Sequence, residues 1–337
     1  MSEDTVGELH VSYAEYAIGF DSFLYLKTTK PVHETLTLAA LVAAGYPIPN
    51  NIAYNSSPPQ VWEIFRGNIW NDDPKCSLFD DTPSGNNTFS KGVEWATDYG
   101  KAKLFKSSRG RGGTITGRSH FGDLQFFHSM SCIVGEPAEE TRDKILLWCE
   151  VMYKIAIGEG ISGKEQIDDV DVTRGDGGKW RINYWFGGDT DPEGNKTVEY
   201  LLTRGTPYRD VNIRHRALGS LLHVIQDSYA KGHTRRSGVS NEGGYLHLGP
   251  IKTFHCYHGQ NEHAHTEFDT FDTDNIQVSN LENFNPFWGA RSAIDACTRI
   301  IKLWMSGTKW GEQNGPLSVL EEVFTLAEDV TAGDNDI

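Results

Sequence analysis

The stretch "LGSLLHVIQDSYAKGH", residues 218 to 233, constrains the chain more than any other. Its apolar residues recur with helical period, yet His223 and Asp227 stand four apart and His233 follows just past Gly232. Residues four apart on a helix face the same side, so His223 and Asp227 can hold one ion together. A core helix has no use for these groups by themselves, because each must be compensated when it leaves water. An imidazole and a carboxylate at this spacing suit zinc, which takes nitrogen and oxygen ligands at roughly 2.0–2.2 Å. The alternative for the pair alone is a partly buried histidine hydrogen-bonded to an aspartate, and adding His233 weighs against it.

The same spacing recurs downstream. "HAHTEFDTF" offers His265 with Asp269 and, two residues earlier, His263 with Glu267. Upstream, His33 lies at the start of "PVHETLTLAALVAAG", Asp72 in "GNIWNDD" and His120 in "SHFGD". Periodicity cannot choose between the two downstream pairs.

The surroundings read as helical. Pro31 to Gly45 brackets a helix by its terminal signals. "PQVWEIFRGNIWNDDP" reads as a short helix ending near Gly67, and residues 74 to 119 as loop-rich. "EETRDKILLWCEVMYKIAIGEG" places Ile145, Trp148, Met152 and Ile155 on one face, and "GARSAIDACTRIIKLWMSG" does the same with Ala290, Ile294, Cys297, Ile301 and Trp304. Residues 160 to 212 turn polar and Gly-rich, an excursion with a few short strands. The expected fold is mostly α: a single α-helical domain around these histidines and aspartates, with long loop insertions and a few short strands. An N-terminal extension (1–32), a main domain (33–310) and a C-terminal segment (311–337) divide the chain of 337 residues.

Other motifs are weaker. "SSRGRGGTITGR" imitates a phosphate cradle without a clear strand before it or helix after it. "DTDPEGN" imitates the start of a calcium loop, but contains Pro192 and has Tyr200 where a closing glutamate belongs. The five cysteines are odd in number, widely spaced and free of C-x-x-C pairs, so buried free thiols are expected. The formal net charge of -15 disfavours encounter with a polyanion such as nucleic acid. No signal peptide is visible at "MSEDTVGELHV", and no stretch reads as a transmembrane span.

With these residues in place, the chain resembles the zinc-dependent phospholipase C and single-strand nuclease superfamily, closest to its bacterial phospholipases C. His223, Asp227 and His233 match its H-x-x-x-D-x-x-x-x-x-H signature, and "HTEFDTF" matches its later H-x-x-[FY]-[ED]-x-F element, which selects His265 and Asp269. "PVHETLTLAAL", "RGNIWND" and "SHFGD" follow in the family's order, and "RIIKLW" looks like its closing helix.

The resemblance implies two or three zinc ions. Asp72, His120, His223 and Asp227 would hold one; His233, His265 and Asp269 a second; and His33, sharing Asp227, a third. In the family an N-terminal tryptophan completes the third site, whereas the first tryptophan here is Trp62. Asp72 takes the catalytic position that orients or deprotonates water. The family's choline-holding aromatics are not matched, Asp73 and Gly117 standing in their places. The implied activity is hydrolysis of a glycerophospholipid, such as phosphatidylcholine, to diacylglycerol and a phosphorylated headgroup. The substrate would be met peripherally at a membrane surface, and the resemblance implies a secreted or exported protein. A zinc-dependent nuclease or nucleotidase and a non-catalytic zinc-binding relative remain the alternatives.

Overall fold

The computed structural model describes residues 31–48, 59–77, 88–105, 110, 113–173, 179–182, 186, 197–204, 211–240, 245–274 and 276–337. Among them are ten α-helices, α1 Val32–Ala44, α2 Pro59–Trp70, α3 Thr88–Leu104, α4 Ile115–Phe121, α5 Ala138–Ile157, α6 Val198–Thr203, α7 Ile213–Asp227, α8 Glu262–Asp269, α9 Ala290–Ser306 and α10 Pro316–Val323. Six short strands pair two by two as antiparallel ribbons: β1 (Asp171–Thr173) with β2 (Lys179–Arg181), β3 (Thr234–Arg236) with β6 (Ile251–Phe254), and β4 (Val239–Ser240) with β5 (His247–Leu248). The mainly helical single domain expected from the sequence is present. None of the described helices is long and apolar enough to cross a membrane.

Helix α7 is the axis of the molecule. Every residue from Arg216 to Asp227 is buried, and α1, α2, α5 and α9 pack against it. The Asn212 side chain accepts from the His215 amide and starts the helix. Glycines at two positions let α2 approach α7 closely. A Cβ on Gly219 would collide with the main chain of Ile64, Gly67 and Asn68, and one on Gly67 with the main chain of Arg216. Gly67 is thus an interior contact, and α2 runs on to Trp70 instead of ending near Gly67.

The α2–α7 seam is also tied by polar groups. Arg216 grips the buried Glu63 carboxylate with Nε at 3.0 Å and Nη2 at 3.1 Å. Ser220 Oγ donates to Asn71 Oδ1 at 2.7 Å and accepts from Trp148 of α5, while Asn71 Nδ2 donates to Phe127 O at 2.7 Å. This network fixes the residue next to Asp72 against the helix carrying His223 and Asp227.

The expectation that residues 74 to 119 are loop-rich is corrected by α3 and α4. "TFSKGVEWATDYGKAKL" contains two glycines and little apolar periodicity, so its helix draws support from packing on α4. There Tyr99 sets its ring against His120 at 5.1 Å and Phe121 at 4.9 Å. A short helix, α4, also begins within the Gly-rich motif, part of which lies outside the described residues, as does all of "DTDPEGN". The excursion after α5 holds β1, β2 and α6, in keeping with a few short strands. The C-terminal segment packs in: Val319, Leu320, Val323 and Phe324 join the core, and Asp334 bridges to His255. All five cysteines are free thiols, four of them buried.

Adding a methyl at position 219 gains about 1 kcal/mol of helix propensity but forces two backbones apart, and overpacking of this kind costs about 1–3 kcal/mol or more. Gly219→Ala should therefore show a net loss of stability in urea denaturation. A variant as stable as the parent would mean the α2–α7 approach is not close.

Candidate metal centre

Six elements deliver side chains to one end of α7. His33 comes from the first turn of α1, Asp72 from the turn after α2, and His120 from α4. His128 ends the 3-10 turn Gln125–His128, and His223 and Asp227 lie one turn apart on α7. His233 stands just before β3, and the β3–β6 pairing returns the chain so that α8 brings His265 and Asp269 alongside it. Gly232 is required at that approach, since a Cβ there would lie 2.7 Å from Asp269 Oδ1 and 2.9 Å from His265 Nδ1.

Asp227 is the hub. Its Oδ2 lies 2.9 Å from His223 Nε2, 3.1 Å from His128 Nδ1 and 3.4 Å from His233 Nδ1, while Oδ1 lies 3.3 Å from His33 Nε2. Asp72 stands 3.8 Å from His128 Nδ1 and 4.0 Å from His223 Nδ1. Asp269 Oδ2 is 2.7 Å from His265 Nε2 and 2.9 Å from His233 Nε2. Ligand atoms gather in four overlapping groups: His33–Asp72–His223, Asp72–His120–His128, His128–His223–Asp227 and His233–His265–Asp269. A tetrahedral ion with bonds of roughly 2.0–2.2 Å has its ligands about 3.3–3.6 Å apart. The spacings around Asp227 fall within a few tenths of an ångström of that edge.

The donors are prepared for an ion as well as close to one another. His33 Nδ1 donates to Gln226 Oε1 at 2.8 Å; the amide orientation is set by Asn68 Nδ2 donating to the same oxygen and by Gln226 Nε2 bonding Thr37 Oγ1. His120 Nδ1 donates to Thr116 O at 2.8 Å and His233 Nδ1 to His128 O at 2.6 Å. Carbonyl oxygens only accept, so these bonds place the hydrogen on Nδ1 and leave Nε2 for a metal, the support typical of ligating histidines.

At His33 the consequence is sharp. Burial, then the neighbouring His223, lowers its pKa, so Nε2 presents a lone pair to a carboxylate 3.3 Å away. Two lone pairs facing each other in a buried site repel unless a cation lies between them. Further atoms point the same way: His128 Nε2, His223 Nδ1, His265 Nδ1 and Asp269 Oδ1 are buried with no hydrogen-bond partner among the described residues. The residues fit a cation.

The charges agree. Burial opposes ionisation of Asp227, yet His223 and then His233 hold its carboxyl well below the usual range. Asp269 is held down against burial by His233 and His265. Burial also opposes charge on His233, but Asp227 and Asp269 outweigh it and push its pKa up to about 10. Burial, then His128, brings His120 down to about 4, leaving a neutral imidazole.

All eight residues singled out from the sequence come to this end of the fold. His233, His265 and Asp269 form a group as the resemblance implies, whereas His263 and Glu267 are exposed. Asp72, His223 and Asp227 converge too, but the imidazole nearest them is His128, with His120 farther out beside Asp72 and His128. His128 escapes the sequence reading because no acid stands four residues from it. Its one signal is a polar residue directly after two phenylalanines, both fully buried here. Burial pushes the thiols of Cys132 and Cys149 far up, so both stay protonated and inert.

A groove of about 760 Å³ lies at the other end of α7, lined by Ile155, Gly158, Ile213 and Arg214, and shares no residue with the four groups. Comparison with family models, curated proteins and solved structures gives no match to this chain.

Alanine at His128 should reduce bound metal as much as alanine at His223, while alanine at the exposed His263 should leave it unchanged, read as ions per chain by plasma mass spectrometry. Full metal content in the His128 variant would take that residue out of the centre.

Proposed function

We propose that this chain is a zinc-dependent phosphodiesterase of the phospholipase C type. The observation that carries the reading is the convergence of three carboxylates and six histidines at one end of α7, with three of the imidazoles hydrogen-bonded through Nδ1. Mixed imidazole and carboxylate donors at tetrahedral spacing suit zinc better than the oxygen-ligated calcium or magnesium. Bound zinc would supply neutralisation of phosphate oxygens and a water of lowered pKa.

The protein's own groups divide the remaining work. Asp227 presents one oxygen to His33 and the other to His223 and His128, so its carboxylate would help to hold ions on both sides. His233, His265 and Asp269 would hold the further ion beside it. Asp72 is the carboxylate with access to solvent, its side chain 43 % exposed against 2 % for Asp227 and 20 % for Asp269. Burial opposes its charge, but His223 and then His128 keep it ionised, so it accepts a hydrogen bond from the attacking water and aims it at phosphorus. The water oxygen bonds to phosphorus as the bond from phosphorus to the alcohol oxygen breaks, and the proton the water gives up ends on the departing alcohol. No protein nucleophile enters, in keeping with the inert buried thiols.

A glycerophospholipid, reached at a membrane surface by an exported protein, is the favoured substrate. The net charge of -15 supports this, because a nuclease would have to draw a polyanion toward a like-charged molecule. The nuclease reading has one observation in its favour: Trp95 and Tyr99 stack at 5.1 Å beside His120 and offer flat faces near Asp72.

Zinc-loaded protein should release a phosphorylated headgroup from phosphatidylcholine vesicles and cleave a chromogenic phosphorylcholine ester, with only trace digestion of single-stranded DNA. Asp227→Asn should lower turnover by at least about 100-fold, since it disturbs two ions at once. Robust DNA digestion with intact lipid would shift the assignment to the nuclease.

A further inference from the structure

Beside the metal centre lies a cavity of about 210 Å³, whose lining includes neither Asp72 nor His120. His33, Asp227 and Asp269 form one wall, so anything in the cavity adjoins the donors that would hold the ions. Leu36 from α1, Ala293 from α9, and Phe271, Phe287 and Trp288 from the segment between α8 and α9 supply apolar wall, and Gln226, Tyr229, Glu267 and Thr270 add polar groups. Phe268 of α8, 37 % exposed, stands at the edge.

Lys231 is the one lysine or arginine in the cavity's lining. It belongs to the turn between Asp227 and His233, and its ammonium lies 4.1 Å from the centre of the Trp288 ring and 5.5 Å from that of Phe268. Among the described residues it has no hydrogen bond or ion pair. Aromatic faces attract a cation, and a quaternary ammonium is the ligand such faces commonly recognise. Here the faces are already taken by the protein's own ammonium, which also repels a second positive charge. What remains is apolar wall, the Lys231 ammonium beside the metal donors, and the solvent-exposed Glu267 carboxylate.

Resting on the phosphodiesterase reading above, we propose that this cavity receives the uncharged acylglycerol arm of the substrate, and that Lys231 bars a quaternary ammonium from it while facing the phosphate. The volume fits an arm and not a whole lipid: complete ligand pockets span about 300–1,000 Å³. Glycerol and its ester groups would enter, and the acyl chains would pass out over Phe268. A cationic headgroup is then directed to the opposite side, where Asp72 is open and Trp95 and Tyr99 present their rings. Lys231 thereby sets which end of the phosphodiester enters the cavity, and so which ester bond faces the attacking water.

The test is calorimetric and uses zinc-loaded full-length protein, so it is read without hydrolysis. Dibutyrylglycerol should bind the parent chain and bind at least tenfold more weakly to Trp288→Ala. Tetramethylammonium should show no binding to the parent and measurable binding to Lys231→Met, in which the faces of Trp288 and Phe268 are released. Lys231→Met replaces a partly exposed side chain by one of similar length, which keeps the test available if Trp288→Ala does not fold. The proposal is overturned if tetramethylammonium binds parent and Lys231→Met alike, if dibutyrylglycerol ignores Trp288→Ala, or if adenosine binds the cavity and dibutyrylglycerol does not. Loss of all hydrolysis with these binding results intact would instead count against the phosphodiesterase reading alone.

Discussion

Three carboxylates drawn together among histidines, in a helical core, set the terms for the rest of this structure. Asp227 is 2 % exposed and Asp269 20 %. Moving an ionised carboxylate out of water costs several kcal/mol even after relaxation, and the cost is recovered only with close positive charge. Protonated His223 and His233 can provide some of it. They do not relieve His33, whose available nitrogen faces Asp227 without a hydrogen, nor the buried unpartnered atoms of His128, His265 and Asp269. A divalent cation between His33 and Asp227 would relieve their opposed lone pairs, which is why the metal reading rests on chemistry and not on the number of histidines.

The scaffold serves that cluster by bringing backbones close together. Gly67 and Gly219 let α2 lie against α7, and the Asn71–Ser220–Trp148 network joins that pair to α5. The outcome is that Asp72, at the end of α2, meets His223 and Asp227, at the end of α7. The second half of the site depends on the ribbon β3–β6, which reverses the chain after His233 and leads to the Asn261-capped helix carrying His265 and Asp269. Sequence distance between ligands is therefore spanned by two devices, a helix–helix contact and a strand pair.

Much of the centre was legible because helical spacing is a local property. His223 with Asp227 and His265 with Asp269 announce themselves at i, i+4, and the capped, periodic helices α1, α5 and α9 lie where their patterns place them. His128 was not legible, since its contacts are all tertiary: its nearest partners, His223 and Asp227, stand 95 and 99 residues away. Helix α3 was missed for a related reason, its order coming from Tyr99 and Trp95 packing on α4 rather than from its own composition. Gly67 was misread as a terminator because a glycine that ends a helix and one that admits a neighbour look the same in sequence.

The most direct test of the central claim is the metal content of the purified, zinc-reconstituted chain after exhaustive dialysis, determined by plasma mass spectrometry. The account predicts on the order of two or three zinc ions per chain, in line with donor groups that need a cation to coexist in a buried site. A folded chain that retains no divalent metal after that treatment would contradict it.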